Sequence, residues 1–263
     1  MVKWYEHVAI NTMDIDRSVK FYERVGGSLV REGVIPSSGT RLAYLQFGEG
    51  IIEILSTTDP ARVGINHIAF QTDDLDSTYQ SIEKAGRSFS VKPKTAGSGV
   101  GRVAFFDDPD GLRVELLEQP NFRKPLRDMK PDRLFIDIDH ISLVVSDLAA
   151  SQSFYAGNCK AKETKRFDLS NRGMLLCYCD VGYGVLGLKE FLGEKKATEK
   201  CRYGHIAVRV KSVEETVRML RAEGVTVAGE PRDAATGLGR IGVLLDPDGI
   251  RLELADRDDY RKM

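Results

Sequence analysis

The chain has 263 residues, which is long enough for two domains of ordinary size. Its 38 basic and 39 acidic residues nearly cancel, so neither nucleic acid nor a membrane surface is an expected partner. The N-terminus lacks the apolar run of a signal peptide, and all four cysteines lie in the second half without CxxC spacing. These features predict a cytoplasmic protein with reduced, buried thiols.

Four amphipathic helices are predicted in chain order, each beginning at an acidic residue or serine and ending before a glycine. They span residues 14–25, 74–85, 147–156 and 212–223. A short apolar strand precedes each helix, and several short strands broken by Gly, Pro and Asp turns follow it. The chain therefore divides into four modules of strand, helix and three strands.

The two halves of the chain repeat one another. The sequence DPDG occurs twice, and three further blocks recur in the same order, which indicates a tandem duplication. The matched pairs are residues 6–9 with 139–142, 66–69 with 204–207, 99–102 with 237–240, and 108–111 with 246–249. We predict a first domain over residues 1–120, a proline-bearing linker over 121–136 and a second domain over 137–263.

All four histidines of the chain open equivalent strands. Side chains two residues apart share one face of a strand, so each sheet has an aliphatic face and a second face that carries polar groups. An unpaired His or Glu buried on that second face would cost several kcal/mol. A face that collects imidazoles and carboxylates is therefore a predicted divalent-metal site.

The histidines about 60 residues apart, followed by DPDG and a glutamate, resemble the vicinal oxygen chelate superfamily of glyoxalases, epimerases, fosfomycin-resistance proteins and extradiol dioxygenases. The resemblance implies an α+β fold in which four βαβββ modules form two cup-shaped mixed β-sheet domains. It also implies two sets of metal ligands. These are His7, Glu53, His67 and Glu115 in the first half, and His140, His205 and Glu253 in the second. Alignment of the halves places Gly187 at the position of Glu53, so the second set lacks a fourth ligand.

The complete His₂Glu₂ set resembles the glyoxalase arrangement and favours a metal-dependent lyase, isomerase or epimerase. The expected cofactor is a divalent ion (Zn, Ni, Co, Mn or Fe), and the expected substrate is a small α-hydroxycarbonyl-like compound with vicinal oxygens that reacts through an enediolate. Glu53 and Glu115 are the candidates for the catalytic proton transfer. We expect a small-molecule substrate as the partner, and a monomer or homodimer.

Two other functions stay open. The triad His140, His205 and Glu253 has the composition of an Fe(II) extradiol dioxygenase site, but residues 239–245 lack the additional His and Tyr of those enzymes. The protein could instead bind a small molecule without reaction, as resistance proteins do. A second half without metal is an equal alternative for that triad.

Several structural alternatives accompany these hypotheses. Modules can pair within each half, which we prefer, or the first can pair with the fourth and the second with the third. Arg113 and Arg251 share the faces of the glutamates and could bind a substrate anion, but a structural role is favoured. Arg102 and Arg240 follow turns and are expected at the rim of each cup. DPDG is expected to form a hairpin turn that positions the following glutamate.

Overall fold

The computed structural model describes residues 1–129 and 133–262. The first half contributes eight strands, β1 to β8. They are Val2–Thr12, Ser28–Val34, Arg41–Phe47, Gly50–Ser56, Gly64–Thr72, Phe89–Thr95, Arg102–Asp107 and Arg113–Glu118. The second half contributes β9 to β16. They are Asp137–Val145, Lys162–Leu169, Met174–Asp180, Val185–Phe191, Arg202–Arg209, Val227–Asp233, Arg240–Leu245 and Arg251–Ala255.

Five α-helices, α1 to α5, are described together with three short 3₁₀ helices. The α-helices are Ile15–Arg24, Leu75–Lys84, Leu148–Cys159, Glu194–Thr198 and Val213–Ala222. The 3₁₀ helices are Pro60–Arg62, Leu126–Asp128 and Ser170–Arg172. Four of the α-helices correspond to the predicted ones, and α4 was not predicted.

The strands form two eight-stranded sheets, one from each half. Their orders are β2-β3-β4-β1-β5-β8-β7-β6 and β10-β11-β12-β9-β13-β16-β15-β14. In each sheet the two central strands are antiparallel, and each of them is parallel to its outer neighbour. The sheets are therefore mixed, and the predicted α+β fold is confirmed. The modules pair within each half, which is the arrangement we preferred from the sequence.

The local sequence accounts for the helix boundaries. The Asp14 side chain caps α1 by accepting a hydrogen bond from the backbone N–H of Arg17 at 3.0 Å. The prediction that the third helix ends before Gly157 was wrong, because α3 continues to Cys159 and ends at Lys160 in a left-handed conformation (φ 55°). A single glycine inside a helix costs only ~1 kcal/mol, which the buried face of α3 outweighs. Within the described ranges, no helix is long and apolar enough to cross a membrane.

The aliphatic faces of the two sheets meet in one core. The largest cluster of buried apolar side chains includes Ile10 and Ile68 from the first sheet and Leu143 and Val208 from the second. Full burial of such a side chain contributes ~1.5–3 kcal/mol, so this shared core joins the halves strongly. The opposite face of each sheet forms the concave surface that carries the predicted site residues.

The beginning of the predicted linker packs against the first half. Arg123 forms a buried ion pair with Glu6, and its Nε donates to the backbone carbonyl of Glu49 at 2.8 Å. Pro131, which contributed to the prediction of a linker, lies outside the described residues. The boundaries at residues 120 and 136 stay predictions.

Candidate metal centres

Two alanines at the centre of the first sheet leave room for larger side chains around them. Across the antiparallel pair of β1 and β5, His67 lies opposite Ala9 and His7 lies opposite Ala69. Each alanine also has a glutamate as its partner on the adjacent parallel strand. All four polar side chains consequently share one face, which we call the first cup. They are His7, Glu53, His67 and Glu115.

The donor atoms of the first cup have the spacing that a metal ion requires. The two histidine Nε2 atoms are 3.3 Å apart, His7 Nε2 is 3.2 Å from Glu53 Oε2, and His67 Nε2 is 3.0 Å from Glu115 Oε2. All four donors lie within 4.8 Å of one another. Ligand atoms that are about 2.1 Å from an ion are about 3.0–3.4 Å apart around it. The residues present therefore fit a divalent ion.

The electrostatics of the first cup favour a positive charge at its centre. Burial alone would lower the pKa of His7, but the adjacent carboxylates Glu53 and Glu115 raise it to about 10. Burial opposes ionisation of Glu115, yet hydrogen bonds from the two imidazoles lower its pKa to about 2. The carboxylates are thus held in the charged form that ligates a cation.

Neighbouring side chains fix the orientation of the two imidazoles. His67 Nδ1 is 2.7 Å from Asn66 Oδ1, which only accepts, so Nδ1 donates to it and Nε2 faces the other three side chains of the site. The ring of His7 packs against Tyr44, with centroids 5.4 Å apart. Nδ1 of His7 is buried and has no hydrogen-bond partner among the described residues.

The second half brings its three predicted ligands together in the same way. His140 Nε2 lies 3.3 Å from His205 Nε2, which is 3.7 Å from Glu253 Oε2. Nδ1 of His140 is 2.7 Å from Asp139 Oδ1, and Arg257 donates to the same oxygen at 2.7 Å. Burial, reinforced by neighbouring positive charges, lowers the pKa of His205 well below 6.5.

Gly187 takes the place of a fourth ligand in the second half. It pairs with Tyr178 as Glu53 pairs with Tyr44, which confirms the alignment of the two halves. A Cβ atom at Gly187 would lie 2.6 Å from His140 Cδ2, closer than Cβ contacts in proteins. The histidine ring therefore fills the space that a carboxylate side chain would need.

The arginines that the sequence placed near the sites have mainly structural contacts. Arg113 lies over the ring of Phe105 at 3.9 Å, and no ion pair with Glu115 is found in the described part of the chain. Arg251 is exposed. The two arginines that follow the glycine turns form ion pairs at the surface. These pairs join Arg102 to Asp76, and Arg240 to Asp233 and Glu214.

Sequence reasoning missed three cations around the second site. Lys189, Arg232 and Arg257 line the same cavity as His140 and His205. Lys189 follows Gly187 by two residues, so strand parity would have placed it on the concave face. The positions of the two arginines depend on how the edge strand and the C-terminal segment fold over the cup, which local sequence does not reveal.

Comparison with known proteins identifies the family. The model of the Glyoxalase/Bleomycin resistance protein/Dioxygenase superfamily matches residues 4–116 and again residues 137–254. The chain belongs to this superfamily. The double match agrees with the tandem duplication, and both matched segments contain a candidate metal site.

Relatives within the superfamily extend over the whole chain. A protein described as a probable chloroplastic lactoylglutathione lyase of Arabidopsis thaliana is 27% identical over 97% of this chain and 73% of its own length. Two solved structures share the fold. The Mn(II)-bound glyoxalase from Novosphingobium aromaticivorans is 18% identical with a TM-score of 0.69, and the match covers 99% of this chain and 85% of that one. The 2,3-dioxygenase LapB from Pseudomonas sp. KL28 is 17% identical with a TM-score of 0.70, and the match covers 97% of this chain and 92% of that one. The full-length lactoylglutathione lyase relatives support a metal-dependent lyase.

Proposed function

We propose that the protein is a divalent-metal-dependent lyase of the glyoxalase type whose reaction takes place in the first cup. The observation that carries the proposal is the buried His₂Glu₂ set, whose four donor atoms lie within 4.8 Å of one another. Similarity to lactoylglutathione lyases over 97% of the chain supports it. The proposed ligands are His7, Glu53, His67 and Glu115.

The metal would act as a Lewis acid toward vicinal oxygens of the substrate. Glu53 on β4 and Glu115 on β8 flank the two central strands beside the imidazoles, and either carboxylate would accept a proton from a substrate carbon next to a carbonyl group. Asn66 orients the ring of His67 so that its Nε2 faces the site. The substrate class is a small α-hydroxycarbonyl-like compound, with the thioester named in the relatives, lactoylglutathione, as the first compound to test.

Proton transfer gives a direct test. Metal-loaded protein is incubated in D₂O with lactoylglutathione and with a panel of α-hydroxycarbonyl compounds, and deuterium at the carbon next to the carbonyl is followed by proton NMR. We expect exchange in the wild type and its loss in Glu53→Gln and Glu115→Gln. Elemental analysis should show metal in the wild type and loss of it from the first cup in His67→Ala.

The alternatives give different results in the same samples. Oxygen uptake with catechols under Fe(II), abolished by His205→Ala, would favour a dioxygenase in the second half. Tight binding of a compound that survives removal of metal, without exchange or product, would favour a non-enzymatic binding protein. The cytoplasmic location and the choice between monomer and homodimer stay predictions.

A further inference from the structure

The second half contains a cavity of about 180 Å³, which we call the second cup. It contains His140, His205 and Glu253 on its floor, and Leu176 and Met174 provide part of an apolar wall. Drug-sized ligands occupy pockets of about 300–1,000 Å³, so this cavity admits only a smaller molecule.

Two differences between the halves remove the excess of negative charge from the second cup. The strand register makes Gly187 the counterpart of Glu53, because each is paired with the equivalent tyrosine. Two residues further along the same strands, Lys189 is the counterpart of Leu55. The carboxylate of Glu53 in the first cup therefore has no counterpart in the second, and the aliphatic Leu55 is replaced by the cation Lys189.

Two of the three cations of the second cup have no carboxylate partner among the described residues. Lys189 and Arg232 line the cavity, and neither forms an ion pair with a carboxylate within 4.0 Å in the part of the chain that is described. Arg257 pairs with the buried Asp139 at 2.7 Å and with Glu253 at 3.8 Å, although its Nε has no hydrogen-bond partner among the described residues. The three cations Lys189, Arg232 and Arg257 therefore outnumber the carboxylates Asp139 and Glu253 by one.

This balance disfavours a second metal ion, because a divalent cation between the imidazoles would be repelled by Lys189 and Arg232. We infer that the second cup binds a small oxyanion, a carboxylate or phosphate group, in the space bounded by Lys189, Arg232 and the imidazoles, without a metal ion. Charge-assisted hydrogen bonds from the two cations would hold the anion. The apolar wall accommodates a short organic body beside it.

Calorimetric titration of the metal-loaded, full-length protein with butanoate and with inorganic phosphate tests the inference. We expect saturable binding of at least one probe, weakened tenfold or more by Lys189→Met and by Arg232→Gln. Lys162→Met, at an exposed lysine of β10, controls for the change in overall charge and should bind as the wild type does. His67→Ala should retain anion binding, which separates this site from the proposed metal site in the first cup.

The two probes distinguish the sources of the anion. Preference for butanoate indicates an organic carboxylate, and preference for phosphate indicates a phosphorylated compound; either supports the inference. Absence of saturable binding of both probes would overturn it, as would equal affinity in the wild type and both cation variants. A second equivalent of metal in the wild type that His205→Ala alone removes would also overturn it.

Discussion

The hydroxyl group of Tyr22 in the first half donates a hydrogen bond to the buried carboxylate of Asp246 in the second half, at 2.9 Å. The reverse contact also exists, because Tyr155 of the second half donates to Asp108 of the first at 2.8 Å. Both aspartates begin DPDG turns. The turns that precede the site glutamates therefore also join the two halves.

Removal of one tyrosine hydroxyl should destabilise the protein. Tyr22→Phe leaves an oxygen of the buried Asp246 without this donor, which costs about 1–3 kcal/mol in the free energy of unfolding. Urea denaturation measures the loss. Tyr79→Phe is the matched control, because the Tyr79 hydroxyl contacts Glu83 at an exposed position, and we expect its urea midpoint to equal that of the wild type. Equal losses in both variants would contradict the role assigned to the Tyr22 contact.

Asp246 should make stability depend on pH. Burial raises the pKa of Asp246 to about 6, although backbone N–H groups and Tyr22 partly offset it. Because the folded-state pKa lies above the unfolded value of 3.8, the native state binds more protons between these values, and the free energy of unfolding falls as pH rises from about 4 to about 6. This component is on the order of 3 kcal/mol. Asp246→Asn, which keeps the size and one oxygen to accept from the backbone N–H groups of Asp248 and Ile250, should remove it.

Urea titrations at several pH values compare the two proteins. Asp110→Asn gives a contrasting result, since hydrogen bonds from Ser146 and Ser151 lower the pKa of Asp110 despite its partial burial. Asp110→Asn should therefore lose a component of the free energy of unfolding that increases with pH. Parallel stability curves for the wild type and Asp246→Asn would show that Asp246 has no part in the pH dependence.

Asn66 should control metal affinity without binding the metal. Asn66→Ala removes the acceptor for His67 Nδ1, and loss of such a contact typically lowers metal affinity 10–100-fold. Asn66→Asp retains an acceptor and should bind metal as tightly as the wild type or more tightly. Competition with a chromogenic chelator measures the affinity of each protein. Unchanged affinity in Asn66→Ala would exclude the orienting role.

Restoring a glutamate in the second half should not create a metal site. In Gly187→Glu the new side chain collides with the ring of His140, so we expect a loss of about 1–3 kcal/mol and no additional metal. Thermal denaturation and elemental analysis check both outcomes. Gly157→Ala is the control, because no atom of the described residues lies within 4 Å of a Cβ there and alanine favours the helix. Binding of a second equivalent of metal by Gly187→Glu would prove the expectation wrong.

Much of the fold was predictable because it depends on local patterns and on repetition. The spacing of His7 and His67, together with the alternation along their strands, is enough to place both imidazoles on one face. The sheet register explains why this succeeded, since each histidine lies opposite an alanine of the other strand.

Other features depend on contacts between distant segments. The sequence pattern predicted that the third helix ends before Gly157, but packing of the buried Cys159 extends α3 to that residue. DPDG indicated a turn, and the positive φ of Gly111 and Gly249 agrees with it, yet its partner tyrosines lie more than 40 residues away. Arg232 and Arg257 of the second cup come from an edge strand and from the segment after β16, and local sequence does not show that these segments reach the cavity.

The paired contacts Tyr22–Asp246 and Tyr155–Asp108 have the symmetry of an isologous dimer, in which one residue of each copy contacts the same second residue of the other. A single ancestral half could have made both contacts by associating with an identical copy. In such a dimer every substitution appears in both sites at once. Fusion of the two copies into one gene removes that constraint, so the two sites of one chain can differ, as they do between Glu53 and Gly187 and between Leu55 and Lys189.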